Sequence, residues 1–159
     1  MKNIRIEIKW ALIFVIMMLI WVFMEKSLGW HDEKIAVHGK FTMLVAVPAV
    51  AIYIFGLLDK KRNFYQGRMN YQQGFKAGLI MTVIIALFSP LMQYIINVFI
   101  TPDFFNNVIN YSVSQGLMTQ EDAEANFNLK SYMIQSPVGA LIMGIGTSAV
   151  VAVLVKSKT

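Results

Sequence analysis

The segment AGLIMTVIIALFSPLMQYIINVFI, residues 77–100, contains no Asp, Glu, Lys, Arg or His. A helix of about 20 apolar residues is enough to cross the hydrocarbon core of a bilayer, which is about 30 Å thick. Three further segments, at residues 10–24, 41–58 and 138–155, also lack ionisable side chains. The pattern predicts an all-α integral membrane protein, a four-helix bundle with spans at about residues 6–28, 35–58, 74–100 and 136–156.

The charged residues between these segments divide by sign. If each segment crosses the membrane once, ten of the 14 Lys and Arg lie on the side of the N-terminus, whereas seven of the nine Asp and Glu lie on the other side. Because an excess of Lys and Arg is typical of the cytoplasmic side, both termini are predicted to be cytoplasmic. We therefore expect a multi-pass membrane protein.

The composition agrees with a membrane location. The chain is 57% hydrophobic, above the level of about 45–50% that is usual for soluble proteins. A soluble bundle would need a polar stripe on each helix, and residues 10–24 show none. The net charge of +5 is expected to face anionic lipid headgroups at the cytoplasmic surface rather than nucleic acid. The chain has no Cys, which excludes disulfides and thiolate chemistry.

A cleaved signal peptide is an alternative for the first span. The chain has a basic start, an apolar run and a small-x-small triplet at residues 27–29. However, the bulky Trp21 and Phe23 near the end of the run favour a span that is not cleaved.

The long connection between the third and fourth spans is predicted to lie outside the cytoplasm as an amphipathic helical segment, residues 102–134. Pro102 and Asp103 indicate a helix start, and Gly116 indicates a break. Thr119, with Asp122 three residues later, predicts a cap for a second short helix. The sequence leaves open whether this segment lies on lipid or on the ends of the spans.

Small residues recur at every fourth position in the last two spans, and such residues share one face of a helix. They are Gly74, Gly78, Thr82 and Ala86 in the third span, and Ser136, Ala140, Gly144, Ser148 and Ala152 in the fourth. Gly139 and Gly146 are expected to widen the groove on the fourth span. Small residues allow helices in lipid to approach closely, so we expect the two spans to pack together. The alternative is that one ridge faces a second copy of the chain and forms a homo-oligomer.

A polar stripe lies in the outer half of the third span, formed by Ser89, Gln93 and Asn97 beside Pro90. These side chains are expected to hydrogen-bond across helices and to satisfy the carbonyl that Pro90 leaves free. Alternatively, they line a polar path for a transported solute. A water-accessible cavity that reaches Gln93 would support transport, and tight packing around it would support a structural role. The spans carry no ionisable residue at depth, which argues against proton-coupled transport.

Both histidines, His31 and His38, lie in the first outer connection with Asp32. These are side chains that can hold a metal or serve a membrane enzyme, but the spacing is a weak signal and we expect solvated loop residues. We therefore expect no catalytic residue, metal or cofactor. The predicted function is a non-enzymatic structural or accessory membrane protein. The alternative is a small transporter or channel subunit with its path along the third span.

Three short motifs carry a resemblance to a known family. They are GFKAG at residues 74–78, ITPDF at residues 100–104 and QSP at residues 135–137. Their order and spacing resemble the bacterial four-span membrane proteins grouped as domain of unknown function 4199. The resemblance covers roughly the C-terminal half, and the family typically has Asn where this chain has Thr101. It implies four helices and a bacterial membrane location, and it implies no activity or catalytic residue.

Overall fold

Four long apolar helices form the body of the computed structural model, which describes residues 4–157. The α-helices of this part of the chain are α1 (Arg5–Ser27), α2 (Ile35–Phe41), α3 (Ala46–Asn63), α4 (Tyr71–Ile95), α5 (Phe104–Ser114), α6 (Gln120–Asn126) and α7 (Leu129–Val155). The segments long and apolar enough to cross a membrane are Arg5–Ser27, Ile35–Asn63, Tyr71–Ile100 and Leu129–Val155. The prediction of an all-α bundle with four helices of spanning length is confirmed.

The second and third of these segments are not uniform α-helices. A 3₁₀ turn, Thr42–Val45, separates α2 from α3. It ends three positions before Pro48, which has no N–H to donate to the carbonyl of Leu44. The third segment ends in a π-helical turn, Ile96–Ile100, and the N–H of Thr101 donates to the carbonyl of Ile96 at 2.8 Å. The 3₁₀ turn thus lies where Pro48 interrupts the regular hydrogen-bond ladder.

The core of the bundle lies among the four long helices: α4 and α7 pack together most extensively, α1 packs against α4 and α3, and α3 also packs against α7. We call the end that holds Arg5, Asn63, Tyr71 and Val155 the N-terminal end, and the opposite end the far end. The core residues include Ala11, Tyr53, Leu57, Met69, Met81, Ile85, Val151 and Val155. Most outward-facing side chains on the four long helices are also apolar, as expected for helices that face lipid.

The segment between α4 and α7 forms two short helices at the far end. α5 ends at Ser114, and Gly116 follows with a φ of 66°, a left-handed conformation that glycine adopts without strain. The Thr119 hydroxyl accepts from the N–H of Asp122 at the start of α6, so the predicted break and cap are both present. α7 begins at Leu129, seven residues earlier than expected, because the Asn128 side chain caps it through the N–H of Ser131.

Candidate functional site

The two ridges of small residues face each other across the contact between α4 and α7. A Cβ atom added to Gly78 would lie 2.7 Å from the Cβ of Ser148, and one added to Gly144 would lie 2.9 Å from the Cβ of Thr82. One added to Gly74 would lie 3.4 Å from the Cβ of Ala152. The antiparallel helices therefore touch at backbone distance along these positions, which a larger side chain would force apart.

Buried hydroxyl groups fill the centre of this contact. The Tyr53 hydroxyl on α3 lies 2.9 Å from the Thr82 hydroxyl, which donates to the carbonyl of Gly78 at 3.0 Å. The Ser148 hydroxyl donates to the carbonyl of Gly144 at 2.6 Å and lies 3.4 Å from the Thr82 hydroxyl. Each hydroxyl thus has a partner inside the protein, as polar groups within a bilayer require.

The remaining ridge positions differ in their surroundings. Ala86 is buried, whereas Ser136 and Ala140 are half-buried. Gly139 and Gly146 are exposed, and a Cβ added to either meets no atom within 4 Å. The expectation that these two glycines widen the groove is wrong, because about 100° of rotation per residue places them on the side of α7 opposite Gly144.

The polar stripe of α4 forms its hydrogen bonds within the helix. The Ser89 hydroxyl donates to the carbonyl of Ala86 at 2.8 Å. That carbonyl is free because Pro90, four residues later, has no N–H. The Asn97 amide donates to the Gln93 carbonyl at 2.9 Å and to its side-chain oxygen at 3.1 Å. The expectation that these side chains hydrogen-bond to other helices is wrong. The expectation that one of them satisfies the carbonyl freed by Pro90 is confirmed by the bond from Ser89 to Ala86.

An open pocket of about 350 Å³ lies at the far end, where α4, α6 and α7 meet. It is lined by Gln93, Met118, Asn126, Phe127, Tyr132, Gln135 and Ser136. The Ser136 hydroxyl and the Asn97 side-chain oxygen are both buried without a hydrogen-bond partner. Of the residues predicted to form the polar stripe, Gln93 lines this pocket. Ser89 is buried one helical turn closer to the N-terminus of α4. A cavity therefore reaches Gln93, and close helix packing begins beyond it.

A second polar group at the far end joins Glu25, His31 and His38. Glu25 is 1% exposed and accepts from the indole N–H of Trp21 at 2.8 Å, while the Nε2 of His31 lies 3.1 Å from its other oxygen. Phe104 packs against both imidazoles, with ring centroids 5.0 and 5.2 Å apart. His31 is 3% exposed, so the expectation of a solvated loop residue is wrong.

The local chain path explains this burial. Gly29 has a φ of 77°, and the N–H of Trp30 donates to the carbonyl of Glu25, so the chain folds back over the end of α1. Asn107 on α5 then donates to the carbonyl of His31 at 2.9 Å and to Asp32 at 3.1 Å. Glu25 was not among the residues predicted from the sequence to lie at a site. The one feature of the sequence that points to Glu25 is its position one helical turn after Trp21, directly after an apolar run.

Ion pairs join α1 to α3 at the N-terminal end. Glu7 and Lys60 form a pair at 2.8 Å and are 2% and 5% exposed, whereas Lys9 pairs with Asp59 at the surface. The indole N–H of Trp10 also donates to Asp59, at 2.7 Å. Some basic residues that were expected to face lipid headgroups are therefore engaged within the protein.

The last described residues close the same end of the bundle. The N–H of Ser157 donates to the carbonyl of Met69 at 2.8 Å, and the N–H of Met69 donates to the Ser157 hydroxyl at 3.0 Å. The Lys61 ammonium donates to the carbonyl of Val155 at 2.8 Å, at the C-terminus of α7, where a positive charge is favourable. In the adjoining loop, burial and the nearby Glu7 raise the pKa of Tyr65.

Comparison with known proteins identifies a family for this chain but no activity. Neither the curated proteins nor the solved structures contain a match to this chain. The family model described as "Protein of unknown function (DUF4199)" matches residues 9–157, which include the four long helices almost entirely and both polar groups at the far end. With that match covering nearly the whole sequence, the chain belongs to the DUF4199 family.

Proposed function

We propose that this chain is a non-enzymatic structural or accessory membrane protein. The observation that carries the proposal is the contact between α4 and α7, where the hydroxyls of Tyr53, Thr82 and Ser148 hydrogen-bond within the protein. A path for a polar solute needs polar groups that face water along its length. Thr82 and Ser148 are fully buried at the centre of the bundle, which suits a rigid scaffold.

We propose that the protein lies in a bacterial inner membrane. Its N-terminal end then faces the cytoplasm. The support for this orientation is the excess of Lys and Arg on that side. Arg62, Arg68 and Lys76 are exposed there, and we propose that they contact anionic headgroups. If the protein forms a homo-oligomer, it does so through faces other than the mutually packed parts of the ridges, such as the side of α7 that carries Gly139 and Gly146.

A transporter or channel subunit is the second candidate, and the pocket at Gln93 favours it. The pocket is open at the far end and combines amide groups with aromatic side chains. For transport, the cavity would have to continue past Ser89 toward Thr82, through helices that now touch at backbone distance. Movement of α7 away from α4 would then be part of the transport cycle.

Single-cysteine accessibility distinguishes these candidates, because the chain has no Cys of its own. We would prepare the variants Gln93→Cys and Ser148→Cys in membranes and treat each with a small water-soluble thiol reagent. We expect rapid labelling of the Gln93 variant, whose position lines the open pocket. The Ser148 variant should be labelled only after denaturation in detergent, which serves as the control for its reactivity.

Labelling of the Ser148 variant in the native membrane would contradict the scaffold proposal, since it would show that water reaches the centre of the bundle. The transporter candidate would then be preferred. Gln115→Cys, at an exposed loop position, provides the matched standard for full labelling.

A further inference from the structure

We propose that Glu25, His31 and His38 form a binding site for a divalent transition-metal ion, with Zn²⁺ as the expected ion. Each residue offers one ligand atom, and the three atoms lie within 4.8 Å of one another. Two imidazoles and one carboxylate are a common ligand set for zinc, which is usually four-coordinate. A fourth position remains for water or for another small ligand. The inference does not depend on the proposed scaffold function.

The hydrogen bonding of the two imidazoles supports a metal site. Buried polar atoms almost always have a hydrogen-bond partner, and an exception can indicate a site that binds an ion. The Nδ1 atoms of His31 and His38 are both buried without a partner. A neutral imidazole carries a proton on one nitrogen only, so the tautomer of His31 that donates from Nε2 to Glu25 keeps a free lone pair on Nδ1. Such a nitrogen is a competent metal ligand.

The surroundings hold the three residues in place. The indole N–H of Trp21 fixes one oxygen of Glu25 at 2.8 Å, as carboxylate ligands of metals are commonly fixed by a second hydrogen bond. Asn107 holds the backbone of His31 through its carbonyl, at 2.9 Å. The ring of Phe104 covers both imidazoles and limits the access of water. The site is therefore preorganised and partly desolvated before any ion arrives.

The distances require a modest contraction on binding. Zinc–nitrogen bonds of about 2.0–2.1 Å place tetrahedral ligand atoms roughly 3.3 Å apart. The present upper limit is 4.8 Å, so the ligand atoms must move closer by up to about 1.5 Å, and Glu25 must exchange its contact with the Nε2 of His31 for a bond to the ion. Imidazole ligands favour zinc, copper or nickel over calcium and magnesium, which prefer oxygen. Because the ligands come from α1, the following connection and α2, a bound ion would clamp the far end of the bundle.

The test is metal binding by the full-length protein, purified in detergent without a polyhistidine tag and stripped with a chelator. Zn²⁺ is titrated by calorimetry, and Co²⁺ serves as a spectroscopic probe of nitrogen and oxygen coordination. We expect one Zn²⁺ per chain, a Co²⁺ visible spectrum typical of four-coordination, and a higher midpoint of thermal unfolding with metal. Chelator should reverse all three.

Variants assign the ligands. His31→Gln and His38→Gln should each weaken Zn²⁺ binding by at least about tenfold and change the Co²⁺ spectrum. Glu33→Gln, which removes an exposed carboxylate in the same connection, is the matched control and should bind as the parent protein does. If His31→Gln does not fold, His38→Gln, at a half-buried position, decides the question. The proposal is overturned if stoichiometric binding is absent or if the histidine variants bind Zn²⁺ as tightly as the control.

Discussion

Gly144 and Gly146 lie only two positions apart on α7 but have different surroundings. Gly144 touches Thr82 on α4, whereas Gly146 has no neighbour within 4 Å of an added Cβ. Packing between helices in lipid depends on close backbone approach, so only the first glycine contributes to the contact. The chain thereby provides its own matched pair for measuring what that approach contributes to stability.

We predict that Gly144→Leu lowers the free energy of unfolding by about 1–3 kcal/mol, since the added side chain overlaps Thr82 and forces α4 and α7 apart. Gly146→Leu should change it by no more than about 0.5 kcal/mol. Unfolding in mixed micelles of increasing SDS content measures both variants. Oligomer size in mild detergent is recorded alongside. A Gly144 variant that keeps its stability but changes oligomer size would show that this ridge packs between chains.

At the scale of the elements, α4 packs extensively against α7 and continues into an irregular turn. Its inner part lies against α7, and its outer part contains Pro90 and continues into the π-helical turn Ile96–Ile100. Ser89 compensates for the missing N–H of Pro90 by donating to Ala86. Ser89 was predicted to satisfy the carbonyl that Pro90 leaves free, with a solute path as the alternative, and its hydrogen bond to Ala86 agrees with the first of these expectations.

A double-mutant cycle tests this compensation. Ser89→Ala should lower the free energy of unfolding by about 1 kcal/mol in the parent protein, because the Ala86 carbonyl then lacks a buried partner. In the Pro90→Ala background the backbone N–H of residue 90 supplies that partner, so the same change should cost close to zero. Equal costs in the two backgrounds, measured by the same SDS titration, would show that Ser89 acts through another contact.

For the whole molecule, the division of charge between the two ends predicts that loop 64–70 and loop 115–119 lie on opposite sides of the membrane. Single cysteines at Arg68 and Gln115, both exposed, report this with a membrane-impermeant maleimide. Applied to intact cells, the reagent should label the Gln115 variant alone, and after lysis it should label both. Labelling of both variants in intact cells would contradict a four-span topology.

The sequence was sufficient for the four helices, because an apolar run without ionisable groups leaves few alternatives. It was also sufficient for the ridges, since a four-residue period defines a helix face without reference to other elements. The sequence was not sufficient to predict the polar group of Glu25, His31 and His38. That group depends on the chain reversal at Gly29 and on a hydrogen bond from Asn107 to His31, two residues 76 positions apart.

The irregular backbone of α4 has a mechanical consequence. The part of α4 from Gly74 to Thr82 touches α7 at backbone distance, but residues 91–100, which follow Pro90, finish in a wider turn. Because helices bend mainly at prolines and π-helical turns, we expect residues 91–100 to bend more readily than the part of α4 that contacts α7. Gln93 lies in this segment, so such a movement would change the volume of the neighbouring pocket and leave the glycine contacts with α7 closed.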